Sequence, residues 1–289
     1  MKFLVCIDGS PRSYGVIPHA ARLASVTGAE ITLTRVLDPR VDAASVVAPE
    51  LEPALKQVEA AWTADLESHL GGLGVPAGTT ILRRQWGKDI ADAIAGAAMG
   101  EGYALIALTS RGSGAVRHAL LGSVSMGVIS RGADPVLVIG AEVAPPATDR
   151  DGYHLLITSD GSPDARSVFE GLRPLLATGG VRVTLLQVVT VGPGETEAAA
   201  KLRASNDLAA LQERLPDGVR AELEVRTVPP GAGIDTAILA AASAHSADAV
   251  AMATHGHSAR RHLVAGSTAM GVLGQSTVPV ILVKSRAID

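Results

Sequence analysis

Two tandem copies of a doubly wound α/β domain are what this sequence predicts, and three observations carry the prediction. Short apolar, β-rich runs alternate with longer stretches of helical periodicity along the whole chain. The tetrapeptide Asp8-Gly9-Ser10-Pro11 recurs as Asp160-Gly161-Ser162-Pro163. The length of 289 residues is about twice that of a typical domain of ~150 residues. Each copy is therefore long enough to bury a core of its own.

In the first copy the strands are expected at residues 3–7, 31–37, 80–84, 105–109 and 136–139, and the helices near 12–27, 50–70, 88–99 and 123–131. The opening run Phe3-Leu4-Val5-Cys6-Ile7 stops at Asp8. It is too short for the apolar core of a signal peptide and reads as a strand. The second copy repeats the pattern with strands near 154–158, 181–189, 221–228, 248–253 and 280–283. Strands that alternate with helices need crossover connections, which imply a parallel sheet covered on both faces. Each half is thus a five-stranded doubly wound sandwich.

A second set of landmarks fixes the alignment of the copies. Gly112 with Gly122-Ser123 returns as Gly256 with Gly266-Ser267, nine residues separating the glycines in both. The offset between copies shrinks along the chain, so residues were lost between the landmarks. The loop after the second strand, longer at 38–50 than at 190–197, is the natural place. The stretch 140–152 is polar and holds Pro145-Pro146 and Asp149-Arg150-Asp151, as a short connector would. The expected organisation is a domain over 1–140, a linker over 141–152 and a domain over 153–289.

Composition removes several function classes. Lys plus Arg number 25 against 29 Asp plus Glu, leaving no basic excess to neutralise a nucleic-acid backbone. Two Trp, three Tyr and two Phe are too few for the stacking platform of a single-strand reader. No stretch approaches the roughly 18 apolar residues of a membrane span. A single cysteine, Cys6, forms no intrachain disulfide and fits a reducing, cytoplasmic setting. Alternation places it among the core residues of the first strand, as an inert thiol.

The repeated turns carry the functional signal. Asp8-Gly9-Ser10-Pro11 stands where a strand hands over to a helix, with Ser10 suited to the N-cap and Pro11 to the first helical position. That reading is purely structural. Its location adds another, because open α/β sheets bind ligands beyond the carboxyl ends of their strands, where Asp8 and Asp160 can accept hydrogen bonds from ribose hydroxyls or help hold a metal ion. The second element follows the fourth strand: Thr109-Ser110-Arg111-Gly112, then Gly122-Ser123-Val124 opening the last helix. Gly122 lets a bulky anion approach a helix N-terminus, whose amides and dipole attract phosphate, and Ser123 adds a hydroxyl. One such turn alone reads as loop punctuation. Its return as Ala253-Thr254-His255-Gly256 and Gly266-Ser267-Thr268, at the same spacing, makes it informative. No Gly-Lys-Ser/Thr follows these glycines and no G-x-G-x-x-G opens the first helix, so neither a P-loop NTPase nor a dinucleotide-binding enzyme is indicated.

These residues resemble the universal stress proteins in their tandem form, twice over and across nearly the whole chain. Members of that family that bind ATP resemble G-x-x-G, nine residues, G-[ST] after strand four, with an Asp ending strand one and a small aliphatic residue ending strand two. The matching residues are Asp8, Val36, Gly112, Gly122 and Ser123, then Asp160, Val188, Gly256, Gly266 and Ser267. The resemblance implies that the aspartates face the ribose or adenine side, that Val36 and Val188 meet adenine through their backbone, and that the Gly-Ser turns hold phosphates. Thr109, Arg111, Val124, Ala253 and Thr268 belong to the same turns. It implies ATP, with Mg²⁺ or Mn²⁺, as the ligand. It also implies a Rossmann-like or flavodoxin-like strand order 3-2-1-4-5, with the fifth strands at sheet edges pairing as an intramolecular pseudo-dimer, and it leaves room for a homodimer. A proline before each fifth strand suits an edge. The chain departs from the motif at its first glycine, which is Thr109 in one copy and Ala253 in the other; a side chain there crowds the ribose or α-phosphate.

Rival chemistries find less support. His255, His257 and His262 cluster in one loop, but no Cys or carboxylate stands at ligand spacing and the first copy offers only His118, so a zinc site is not expected. Arg111, Arg117, Arg260 and Arg261 flank the Gly-Ser turns and either screen phosphate charge or form a solvated face. Ser10 and Ser162 lie outside any G-x-S-x-G and no repeated His accompanies them. The expectation is a nucleotide-binding sensor or regulator without efficient catalysis. The alternative is an interaction protein that keeps the fold without the nucleotide, which Thr109 and Ala253 favour.

Overall fold

The structure, a computed structural model, describes residues 1–42, 51–110, 121–131, 135–147, 151–162, 165–192, 194–254 and 265–284. By its contacts the chain divides into two compact units, Met1–Asp134 and Pro135–Asp289.

In the first unit β1 (Lys2–Cys6), β2 (Glu30–Leu37), β3 (Ala77–Arg83) and β4 (Leu105–Thr109) alternate with α1 (Val16–Thr27), α2 (Leu51–Ser68), α3 (Ile90–Glu101) and α4 (Ser123–Arg131). The strands lie in the order β3-β2-β1-β4, all parallel, with Phe3 opposite both Ile31 and Leu105 and Ile31 opposite Ala77. Phe3, Leu4, Ile31, Leu33, Leu105 and Ile106 are fully buried, as continuous apolar runs must be where helices cover both faces. β3, at the edge, is only half-buried along its length. It also begins at Ala77, earlier than its β-rich run suggests.

In the second unit the same alternation runs β6 (Tyr153–Ser159), α5 (Arg166–Leu176), β7 (Val181–Thr190), α6 (Glu197–Gln212), β8 (Ala221–Val228), α7 (Ile234–Ala244), β9 (Ala249–Ala253), α8 (Ser267–Gln275) and β10 (Val280–Val283). The order β10-β9-β6-β7-β8 is the expected 3-2-1-4-5 read from the other end. β5 (Val136–Ile139), the last strand of the first copy, counts with this unit and pairs antiparallel with β10, Ile281 facing Leu137. The fifth strands therefore pair as expected. β10 is an inner strand in consequence, wholly buried between β5 and β9.

The start of α1 departs from the expectation. Ser10 does not cap it. The Asp8 carboxylate accepts both the Ser10 amide at 2.9 Å and the Ser10 hydroxyl at 2.6 Å, and the Ser10 hydroxyl in turn accepts the Ser13 amide at 3.3 Å. These bonds close an Asx turn that feeds a 3₁₀ turn at Ser13–Gly15, and α1 begins only at Val16. A short carboxylate competing for local amides delays the helix. In the second unit Asp160 likewise accepts the Ser162 amide at 3.0 Å, and the Ser162 hydroxyl accepts the Ala165 amide at 3.2 Å.

Candidate functional site

The carboxyl ends of the parallel strands open into a cavity in each unit. The first, of about 400 Å³, is lined by Asp8, Val36, Thr109, Gly122, Ser123 and Val124, among others. The second, of about 570 Å³, is lined by Asp160, Val188, Ala253, Gly266, Ser267 and Thr268 with their neighbours. Both volumes fall within the usual range for small-molecule sites. Residues scattered over more than a hundred positions of each copy thus meet at one opening, as strand order places the ends of strands one and four side by side. Of the residues singled out in the sequence, Arg111, Gly112 and Gly256 lie outside the described residues. So do Arg117, Arg260, Arg261, His118 and the histidines 255, 257 and 262. Among the described residues no group of three His, Cys, Asp or Glu is placed to hold a metal ion.

The helix N-termini are set by the same bond in both units. Gly122 donates its amide to the Ser110 carbonyl at 2.7 Å, and Gly266 donates to the Thr254 carbonyl at 2.6 Å. Each helix is thereby pinned to the end of the strand before it. In the first unit the Ser125 hydroxyl adds a bond to the Thr109 carbonyl at 2.9 Å. Arg131 then ties α4 to α3, reaching Asp92 at 2.8 Å and Asp89 at 2.7 Å, the pair whose capping box opens α3. Gln275 stands at the place of Arg131 in the second copy and reaches Asp235 at 3.2 Å.

Gly266 is the N-cap of α8, at φ −66° and ψ 163°, with no side-chain cap bond. That extended conformation suits any residue. Among the described residues, a Cβ at this position would meet only the Thr254 carbonyl oxygen, at an ordinary 3.6 Å. Neither the backbone nor the described residues around it therefore require glycine here. What glycine does is leave the early amides of α8, at Thr268 and Ala269, without the side-chain cap that Ser, Thr or Asp would supply at the wall of the cavity.

Gly9 and Gly161 are glycines for a different reason. Both hold positive φ, 81° and 76°, in the left-handed region that other residues avoid. Both also carry a side chain close above them. The Arg35 guanidinium lies 2.5–2.7 Å from where a Gly9 Cβ would stand, whereas Gly161 has Asp207 Oδ2 at 3.0 Å and Gln187 Nε2 at 3.1 Å from the same point.

The sequence reading missed those side chains, and they distinguish the two cavities. Arg35 precedes Val36 on β2 and stacks on Trp62 of α2, 3.7 Å from the ring centroid; both line the first cavity. Gln187 precedes Val188 on β7 in the same relation. Asp207-Leu208 of α6 repeats Asp65-Leu66 of α2, both leucines fully buried, which puts Ala204 in the place of Trp62. Beneath, Tyr14 donates its hydroxyl to Asp65 and packs its ring against His69 at 4.2 Å. Burial and the Asp65 bond push the Tyr14 hydroxyl up to about 12. In the second copy Arg166 and Leu211 take those places, and an additional cavity of about 340 Å³ opens there beside Gly161 and Asp207.

Two further polar groups complete the picture. Asp38, also on the first cavity, pairs with the almost buried Arg84 at 2.9 Å, and Arg203, on the second, pairs with Glu195 at 3.0 Å. Cys6 lines the first cavity rather than sitting wholly in the core. Burial still pushes the thiol up to about 12, which keeps it protonated.

Comparison with known proteins places this arrangement in a family. A universal stress protein of Mycolicibacterium smegmatis (strain ATCC 700084 / mc(2)155) is 28% identical over 301 residues, covering 98% of this chain and 97% of the relative. A universal stress protein of Mycobacterium tuberculosis (strain ATCC 25618 / H37Rv) is 26% identical over 189 residues, covering 62% of this chain and 61% of its own length. The crystal structure of a universal stress protein from Archaeoglobus fulgidus DSM 4304 shares the fold, with a TM-score of 0.66 at 20% identity, covering 99% of this chain and 97% of that one. The universal stress protein family model matches residues 1–140 and again 153–284, and the chain belongs to that family as a tandem pair of its domains.

Proposed function

We propose that each unit binds an adenine nucleotide, ATP accompanied by Mg²⁺ or Mn²⁺, and that the protein acts as a nucleotide-dependent sensor or regulator in stress response rather than as an efficient catalyst. The observation that carries this reading is Gly266. It is a helix N-cap without a capping side chain, in a conformation that suits any residue and with room for a side chain among the described residues, on the wall of a cavity. A side chain withheld where the protein itself does not demand it points to a ligand that needs the room, and free helix amides favour an anion.

The remaining assignments follow the cavity walls. Phosphates belong at Gly122, Ser123 and Val124 and at Gly266, Ser267 and Thr268. Asp8 and Asp160 face the ribose, and the backbones at Val36 and Val188 face the base. The divalent cation would travel with the triphosphate. Binding is the role these residues fit, with the Cys6 thiol of the first cavity kept protonated by burial.

The test is to denature freshly purified protein, quantify the adenine nucleotides released, and titrate emptied protein with ATP and Mg²⁺ by calorimetry. Two nucleotides per chain are expected at saturation, and Gly122→Trp and Gly266→Trp should each abolish one. If both variants bound as the parent does, the phosphate turns would be misassigned. Protein that neither carries nor takes up nucleotide would leave the interaction-protein reading.

A further inference from the structure

We propose that Gln187 is a specificity determinant of the second cavity, its side-chain carbonyl accepting a hydrogen bond from an N–H or O–H group of the bound nucleotide. The inference rests on the nucleotide reading above and adds to it which part of the ligand this unit reads, and that the first unit does not read it the same way.

Gln187 lines the second cavity yet is only 1% exposed. Its Nε2 donates to Asp207 Oδ2 at 3.5 Å. A carboxylate only accepts, so this contact fixes which end of the amide is nitrogen. The other end, Oε1, is buried and has no hydrogen-bond partner among the described residues. Buried acceptors are almost always satisfied, and a leucine or methionine would fill the same volume without leaving an orphaned oxygen. The amide therefore makes sense if a donor arrives from within the cavity. The neighbouring groups agree, because Asp160 and Asp207 line the same cavity and offer acceptors. These groups suit the donor-bearing end of a ligand, and the start of α8, on the wall of the same cavity, suits an acceptor-bearing phosphate.

The first cavity is built differently at this position. Arg35 replaces Gln187, its guanidinium spread over Trp62 and lying against Gly9. A guanidinium has donors and no acceptor. The two units thus present opposite hydrogen-bonding character to the same part of a ligand.

Within an adenine nucleotide the donor is either a ribose hydroxyl or the exocyclic amine of the base. The experiment separates these, using a Gly122→Trp background so that only the second cavity is measured. ATP, 2′-deoxy-ATP, 3′-deoxy-ATP and inosine triphosphate are titrated by calorimetry against this protein and against its Gln187→Leu and Gln187→Met derivatives. With Gln187 present, the analogue lacking the recognised donor should bind about tenfold more weakly than ATP, in keeping with one buried hydrogen bond. In the two derivatives ATP itself should weaken by about the same factor, and that analogue should weaken no further. Loss of discrimination against a deoxy analogue identifies the hydroxyl, and loss against inosine triphosphate identifies the amine. If folded Gln187→Leu or Gln187→Met kept the full ATP affinity and discrimination, the proposal would be overturned. If the Gly122→Trp parent bound no nucleotide, the nucleotide reading of this cavity would itself have failed, a separate result.

Discussion

Gly266 shows how a single residue can be tested for function apart from structure. Serine is a better N-cap than glycine by roughly a few tenths of a kcal/mol, and the space at Gly266 accepts its Cβ. Gly266→Ser should therefore raise thermal stability slightly while weakening ATP binding, since the new hydroxyl takes the α8 amides that the phosphate would use. A variant that bound ATP as tightly as the parent would remove those amides from the site. His19 gives a second residue-scale prediction. It is buried in α1, and burial lowers its pKa to about 4. In the unfolded chain the same ring titrates near ~6.5. Between these values the unfolded state binds a proton that the folded state refuses, so the stability His19 contributes is complete above the unfolded value. It is lost as pH falls from about 6.5 toward about 4, with a slope of at most ~1.4 kcal/mol per pH unit. His19→Leu should flatten the fall in urea midpoint between about pH 7 and about pH 5. An unchanged slope would show that His19 is already charged in the fold. Burial depresses His154 in the second unit in the same direction, so part of the pH dependence should survive the substitution.

Helix glycines separate packing from propensity. In α3, a Cβ on Gly96 would meet nothing within 4 Å among the described residues, so Gly96→Ala should stabilise the protein by about 1 kcal/mol through helix propensity alone. In α5, a Cβ on Gly171 would stand 2.8 Å from Val283 Cγ1 and 3.4 Å from Pro135 Cγ. Overpacking costs about 1–3 kcal/mol, so the same substitution should reverse in sign. Equal shifts in melting temperature for the two would mean that α5 moves freely over β10. At this scale the fold was readable from sequence, because apolar runs and helical periodicity are local and the turn tetrapeptide repeats unchanged. The start of α1 was not, since it depends on where the Asp8 carboxylate sends its hydrogen bonds. Nor were Arg35, Trp62, Gln187 and Asp207. They reach the cavities from β2, α2, β7 and α6, and comparing the copies for identity passes over Arg35 and Gln187 because they differ. The signal that was present is a polar residue beside the strand-two valine, in a strand otherwise apolar enough to be buried.

At the scale of the whole molecule, the two copies carry cavities with the same Gly-Ser turn and different surroundings. The first holds Arg35 on Trp62, above a Tyr14–His69 ring pair. The second has Gln187 and Asp207 in that region, beside an extra cavity between Arg166 and Arg214. This difference makes the sites separately observable. Of the two tryptophans in the chain, Trp62 lines the first cavity and Trp86 is 87% exposed. In a Trp86→Phe protein, emission reports on the first cavity alone. Adding ATP with Mg²⁺ should change that emission along a single-site curve, because a ligand entering beside Trp62 must alter the contact between its ring and the Arg35 guanidinium. Gly266→Ser in the same background should leave the curve where it was while lowering the calorimetric stoichiometry or affinity of the second site. Conversely, Gln187→Leu should not move it at all. An emission curve that shifted with either second-unit substitution would show the two sites to be coupled, with a coupling free energy given by the ratio of the two midpoints. A curve that never responds to ATP, in protein that calorimetry shows to bind it, would restrict the nucleotide to the second unit.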